Sequence, residues 1–181
     1  MANRYQDILF QLIHSLEKSE KRHFKLYIKR SSANEDLKII QLFDAIGKLS
    51  EYDEKQLLKK LPGIQKPQLA NLKTHLYKQL LASLRLLKSA DSIDLQLNEQ
   101  FDYAHILYKK GLFIQSLKIL DRAKETARAN QKIYALLNFI TLEKRIESLH
   151  ITRSMQHRAE QLAAESVDVS NKILVVTRLS N

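Results

Sequence analysis

The chain has 181 residues and no cysteine, which excludes disulfides, thiolate catalysis and zinc sites built on cysteine. Only three glycines and two prolines occur, and this scarcity favours an almost entirely helical, all-α protein. The formal net charge is +10, and most of the excess lies in residues 1–90, which carry 17 Lys and Arg against 9 Asp and Glu, whereas residues 91–181 carry 13 against 11.

Five helices are predicted in the first half, because apolar residues recur there at spacings of three and four. Ser19 is expected to cap the second helix and Asp53 the fourth. Pro62 and Gly63 end the fourth helix, and Pro67 suits the first turn of a long fifth helix that we expect to be central. The first predicted helix ends near Lys18, and the second, fourth and fifth span about residues 20–30, 54–61 and 66–89. The third follows a predicted capping box of Ser32 and Glu35 and is carried by Leu37, Ile40, Phe43 and Ile46.

A helical hairpin is predicted from Phe101 to Ala129. Leu97, Phe101, Ala104 and Tyr108 share one face of its first helix, and Gly111 follows as a left-handed cap. A second apolar period begins at once, so the two helices must be antiparallel neighbours. Small residues in both helices would allow the two backbones to approach closely.

The hairpin resembles a tetratricopeptide unit. The residues that carry the resemblance are Ala104, Leu107, Tyr108, Gly111, Phe113, Ser116, Leu120 and Ala123. The sequence departs from the family pattern at Gln100, Ala104, Ser116 and Arg128, which stand where a Trp, a Gly, an Ala and a Pro are usual. The resemblance covers about one unit, near one sixth of the chain. It implies a scaffold whose concave face holds a peptide or a partner helix.

Two further helices are predicted, one over about residues 131–151 and one that begins near Ser154. The expected fold is all-α, with antiparallel hairpins stacked as a short right-handed helical-repeat array of about nine helices. We expect a basic helical region over residues 1–90 and a helical-repeat region over residues 91–181, continuous with it. The apolar end suggests either that the chain is the first part of a longer repeat protein or that residues 171–181 form a homodimer contact.

A basic stripe is predicted on the second helix, since five cations recur there at spacings of three and four. Like charges at these spacings disfavour a helix, and an anionic partner would relieve the repulsion. The alternative is a solvated helix face that binds nothing. The residues of the basic stripe are Lys18, Lys21, Arg22, Lys25 and Lys29.

The order of a short helix, a tight turn and a longer helix over residues 53–80 resembles a helix-turn-helix. The resemblance would imply that residues of the longer helix face a nucleic-acid groove. The length of that helix, its wide arc of leucines and the lack of a following strand pair favour a structural hairpin instead. The candidate groove-facing residues are Gln68, Asn71, Lys73, His75 and Lys78.

No catalytic or phosphate-loop motif occurs in the sequence. Two Glu-x-x-His pairs, Glu20 with His23 and Glu147 with His150, have the spacing of di-iron ligands in helical bundles. Glu20 and His23 lie among cations, and further inward-facing carboxylates are not evident. We therefore expect no metal, no cofactor and no enzymatic activity.

The sequence favours a non-enzymatic helical-repeat scaffold that mediates protein–protein interaction. The alternative is a nucleic-acid-binding or regulatory protein that uses the basic first half. Most aromatic residues fall at apolar helical spacings, which indicates core positions more than base-stacking platforms. No apolar run approaches the roughly 18 residues of a membrane span, and the first residues do not resemble a signal peptide, so we expect a cytoplasmic protein without membrane contact.

Overall fold

The computed structural model describes residues 7–30, 34–150 and 156–179. This part of the chain contains nine α-helices and no strand, as the composition predicts. The predicted caps Ser32 and Ser154 lie outside the described residues. The helices are α1 (Ile8–Ser15), α2 (Lys18–Lys29), α3 (Asn34–Gly47), α4 (Glu54–Lys60), α5 (Lys66–Lys88), α6 (Ile93–Lys109), α7 (Phe113–Ala129), α8 (Ile133–His150) and α9 (Gln156–Leu179).

Short polar side chains cap several helices, because the first backbone N–H groups of a helix have no partner within it. Asp53 Oδ1 accepts a hydrogen bond from the Lys55 backbone N–H at 2.8 Å, which confirms the predicted cap of α4. The predicted Ser19 cap is wrong. Helix α2 begins two residues earlier than predicted, at Lys18, because the Glu20 carboxylate accepts a hydrogen bond from the Glu17 backbone N–H at 2.9 Å.

The chain divides into two compact units, Met1–Lys88 and Ser89–Asn181. In the first, which we call the N-terminal unit, α2 and α3 both pack on α5, and α1 and α4 pack on α3. The prediction that α5 is central and contacted on more than one side is therefore confirmed. Phe24 of α2 and Phe43 of α3 lie at the middle of this core, with ring centroids 4.8 Å apart.

In the C-terminal unit, α7 packs against both α6 and α8, and α8 also contacts α6 and α9. The predicted close approach of α6 and α7 is present, since Ala104 and Ser116 are fully buried between them. The Ser116 hydroxyl donates a hydrogen bond to the Ala104 carbonyl oxygen at 2.7 Å. Phe101 contacts Phe139 of α8 with ring centroids 5.9 Å apart, so α6 and α8 lie side by side.

Helices α6 and α7 both end in a Schellman motif. The Leu112 N–H donates to the Leu107 carbonyl after α6, and the Lys132 N–H donates to the Ala127 carbonyl after α7. The first motif places Gly111 at φ +75°, as the sequence predicts, and the second places Gln131 at φ +55°. Gln131 therefore adopts the left-handed conformation without the freedom that glycine has.

None of the helices in the described part of the chain is both long and apolar enough to cross a membrane.

Candidate binding sites

The basic stripe of α2 is only partly available to an anion. Lys18, Arg22 and Lys29 are exposed, and Lys21 is half-buried. Lys25 instead forms an ion pair with Asp44 of α3, with Nζ and Oδ1 2.7 Å apart. The ammonium of Lys25 also lies over an aromatic ring of α3, 5.9 Å from its centroid. The stripe is therefore interrupted at its centre by a cation that already has a carboxylate partner.

The predicted groove-facing residues of α5 do not lie on one face. Gln68, Asn71 and His75 line the same cleft, and Lys78 lies one turn further along that side of the helix. The inclusion of Lys73 is wrong. Because each residue of a helix advances by about 100°, position 73 points to the side opposite the cleft.

Lys73 has a structural role on that opposite side. Its ammonium donates hydrogen bonds to the Asp7 carboxylate and to the Tyr52 hydroxyl, the latter at 2.8 Å, and it lies 4.6 Å from the Tyr52 ring centroid. Burial alone would lower the pKa of Lys73, but the hydrogen bonds to Asp7 and Tyr52 outweigh this effect and raise the pKa above its ordinary value. This cluster joins α5 to the residues that precede α1 and α4.

The cleft lies between α3, the α4–α5 turn and α5, and we call it the α3–α5 cleft. It consists of two adjoining parts of about 600 and 280 Å³, which share Ile64. Both parts are open to solvent along one side. Three lysines, amide side chains and a few apolar residues line it: Lys38, Gln41, Asp44, Ala45, Lys48, Lys60, Leu61, Pro62, Ile64, Gln68, Asn71, Leu72 and His75.

The α3–α5 cleft is positively charged. Its cations are Lys38, Lys48 and Lys60, all exposed, and none of them pairs with a carboxylate in the described part of the chain. Asp44 is the one carboxylate among the lining residues, and its charge is offset by the ion pair with Lys25. The first turn of α5 lies at the same cleft, and its dipole adds to the positive potential.

The Glu-x-x-His pair of α2 serves the fold. Glu20 caps α2 and pairs with Lys88, and the pKa of its carboxyl is lowered by the backbone hydrogen bond from Glu17 and by that lysine. His23 Nδ1 lies 2.9 Å from the hydroxyl of the buried Ser83, which links α2 to α5. Within residues 7–30, 34–150 and 156–179 no cluster of three His, Cys, Asp or Glu could hold a metal ion. The second predicted pair is not described in full, because the His150 side chain lies outside the described part.

The C-terminal unit contains a buried ionic network that the sequence did not reveal. Lys124 of α7 and Glu143 of α8 form an ion pair, and their residues are only 3% and 2% exposed. Arg158 of α9 contacts the other carboxylate oxygen of Glu143, and Asp121 lies 3.3 Å from the Lys124 ammonium. The network therefore joins three helices at one carboxylate.

The carboxylates of the network favour the charged form of Arg158. Burial alone would lower the pKa of Arg158, but the hydrogen bond to Glu143 and the attraction of the nearby carboxylates outweigh burial and raise the pKa. Every buried side-chain oxygen and nitrogen in the described residues has a hydrogen-bond partner. The sequence did contain an indication of this network, since Lys124 interrupts the apolar face of α7 between Ala123 and Ala127.

Helices α6 and α8 together form an exposed face that points away from α7, because α7 packs behind both of them. We call this surface the α6–α8 face. Its exposed residues carry amide, hydroxyl and charged groups: Asn98, Asp102 and Lys109 on α6, and Asn138, Thr141 and Arg145 on α8. The apolar side chains of Ile106 and Tyr134 are also exposed on these helices.

No protein-family model, no curated protein and no solved structure matches this chain.

Proposed function

We propose that the protein is a non-enzymatic helical-repeat scaffold that mediates protein–protein interaction. The observation that supports the proposal is the packing of α6 against both α7 and α8, as the first helix of one hairpin packs against the first helix of the next in a repeat array. In stacked hairpin arrays such first helices build an extended surface that binds a partner. A right-handed, tetratricopeptide-like order of α6 to α9 is part of this proposal.

The chemistry of the α6–α8 face suits an extended peptide. Asn98 and Asn138 each present an amide, which can donate and accept hydrogen bonds and so can pair with a peptide backbone. Lys109 and Arg145 supply cations that would favour an acidic segment. The Thr141 hydroxyl donates its hydrogen bond to the Leu137 carbonyl oxygen and not to a base, which supports a binding role over catalysis.

Site-specific photo-crosslinking in cells tests the proposal. Benzoylphenylalanine replaces Asn98 or Asn138 on the α6–α8 face, and Arg122 or Glu125 on the exposed side of α7 serves as the matched control. We expect a defined partner to crosslink from the α6–α8 positions only. The purified partner should then bind about tenfold more weakly to a variant with both asparagines changed to alanine, a loss of about 1.4 kcal/mol. Equal crosslinking from both sides, or unchanged affinity, would refute the proposal.

A homodimer through residues 171–181 is a second element of the proposal. Within the described part of this segment, Leu174, Val175, Val176 and Leu179 are all exposed. Sedimentation equilibrium should find a dimer that Val175→Lys converts to a monomer, whereas Lys172→Gln should leave it dimeric. A monomer at about 100 μM, a concentration well above a micromolar dissociation constant, would refute this contact.

A cytoplasmic location stays a prediction.

A further inference from the structure

We propose that the α3–α5 cleft binds a single-stranded nucleic acid, with its lysines on the phosphates and its amide and apolar residues against the bases. This site lies within the N-terminal unit and is separate from the α6–α8 face. The proposal therefore stands or falls independently of the scaffold function.

The first argument is the unpaired charge of the cleft. A second cleft, of about 320 Å³, lies in the C-terminal unit and also has three cations. There Arg128 pairs with Glu165, Lys132 with Asp94 and Lys172 with Asp168. The three lysines of the α3–α5 cleft have no such partners among the described residues, so their charge is available to an anion.

The spacing of the lysines favours a repeating anion over a single phosphate group. Lys38 lies in the first half of α3, and Lys48 directly follows the last residue of that helix, ten positions later. At about 1.5 Å per residue, this separation is about 15 Å along the helix axis. Lys60 lies across the cleft, at the end of α4. A flexible strand with one charge per nucleotide can contact cations at both ends of such a cleft at the same time.

The neutral residues between the lysines favour a nucleic acid over an acidic peptide. Asn71 can form paired hydrogen bonds with the edge of a base, as amide side chains do with adenine. The Gln68 amide oxygen accepts a hydrogen bond from the Gln65 backbone N–H at 3.1 Å, and its NH₂ group remains a donor for a base. Ile64 and Leu72 offer an apolar wall, and His75 offers a ring on which a base can stack. An acidic peptide would use the cations and could pair with the amides, but it does not offer a flat ring at every position to place against Ile64, Leu72 and His75, as a strand of bases does.

The shape of the cleft favours a single strand over a duplex. A helix that reads a duplex must protrude into the groove. Gln68, Asn71 and His75 instead line a concave surface opposite α3, so they do not protrude as the residues of a recognition helix do. An unpaired strand can place its bases inside the cleft while its phosphates follow the lysines at the rim.

Fluorescence anisotropy of the full chain with labelled single-stranded RNA and DNA 12-mers tests the proposal at about 50 and 200 mM salt. The variant Lys38→Gln, Lys48→Gln, Lys60→Gln should bind at least tenfold more weakly at the lower salt. Loss of three phosphate contacts should lower the salt slope by about 2, so the wild-type affinity should fall about twentyfold more than that of the variant over this range. The control changes the three exposed cations of α2 (Lys18, Arg22 and Lys29) to glutamine, and we expect less than a threefold effect.

A second variant separates base contacts from charge. Asn71→Ala with His75→Ala keeps every lysine, so it should weaken binding about tenfold without changing the salt slope, since it removes contacts to the bases and no charge. The absence of binding at the lower salt would refute the proposal, as would equal losses in the cleft and control variants. Preferential binding of a duplex of the same length, or equal competition by polyglutamate, would also overturn it. Thermal unfolding by circular dichroism checks that all variants are folded.

Discussion

The buried ion pair of the C-terminal unit gives the sharpest prediction about stability. Removing one partner of a buried pair leaves an uncompensated charge, which costs about 3–5 kcal/mol, whereas replacing both partners by apolar residues is often neutral. Glu143→Met leaves the buried Lys124 with Asp121 alone, 3.3 Å away, so we expect a loss of about 3–5 kcal/mol. Lys124→Met should cost less, about 2 kcal/mol, because Arg158 still neutralises Glu143.

The double variant Lys124→Met with Glu143→Met should lie within about 1 kcal/mol of the wild type. Arg158 then loses its carboxylate, but its side chain is 40% exposed and can turn to solvent or to Asp121. The two mutations should therefore be strongly non-additive, with a coupling energy of about 3 kcal/mol or more. This coupling distinguishes a true buried pair from two side chains that happen to lie close together.

Urea unfolding followed by circular dichroism measures the free energy of unfolding of the wild type, the two single variants and the double variant. Hydrogen exchange of the α7 and α8 amides assigns each loss to the C-terminal unit, since it reports the stability of each segment separately. The matched control is Lys172→Met, which breaks a pair to Asp168 whose side chains are both 61% exposed and should cost less than about 0.5 kcal/mol. If Lys124→Met and Glu143→Met are both as mild as this control, the reasoning is wrong.

Three other predictions concern local structure. Gly111→Ala should cost about 1 kcal/mol, because it forces an L side chain into φ +75°, although the Cβ itself would meet no atom within 4 Å. Gln131→Gly should raise the free energy of unfolding by about 0.5 kcal/mol, because glycine adopts φ +55° without the strain of an L side chain. Urea unfolding measures both changes in stability. Because the pKa of Lys73 is raised in the folded protein, Lys73 contributes stability below the pKa of an unfolded lysine, near 10.5. This stability is lost as the pH rises through the pKa of Lys73 in the folded protein. Asp7→Asn should reduce this loss of stability at high pH. Urea unfolding at about pH 8 and pH 11, on either side of the pKa of an unfolded lysine, measures the difference.

The number and bounds of the helices were predictable because their signals are local. Asp53, Pro62 and Gly111 each fix a helix end within a few residues, and the structure has ends at these places. The Ser19 error is of the same kind, since a glutamate pair three residues apart outcompeted a nearby serine. Local sequence patterns therefore predict the presence of a helix end more reliably than they predict which side chain caps it.

The candidate sites were less predictable because they depend on contacts between helices. Lys38 joins the cleft because α3 packs beside α5, and Lys48 joins it because the end of α3 lies beside the α4–α5 turn. No spacing within one helix reveals either contact. Glu143 likewise gains its role from α7 and α9. The Lys73 error differs, since the helical period alone places that residue away from Gln68 and Asn71.

The unpaired lysines of the α3–α5 cleft lead to a last prediction, about stability without ligand. Like charges in a concave surface repel one another, so Lys38→Gln, Lys48→Gln, Lys60→Gln should stabilise the N-terminal unit by a few tenths of a kcal/mol at low salt. Salt screens the repulsion, so the gain should disappear at about 1 M, where the Debye length is about 3 Å. Urea unfolding at both salt concentrations measures the difference. A loss of stability at both would mean that the lysines hold the fold together, whereas the predicted gain would mean that the chain retains them at a cost that a bound polyanion offsets.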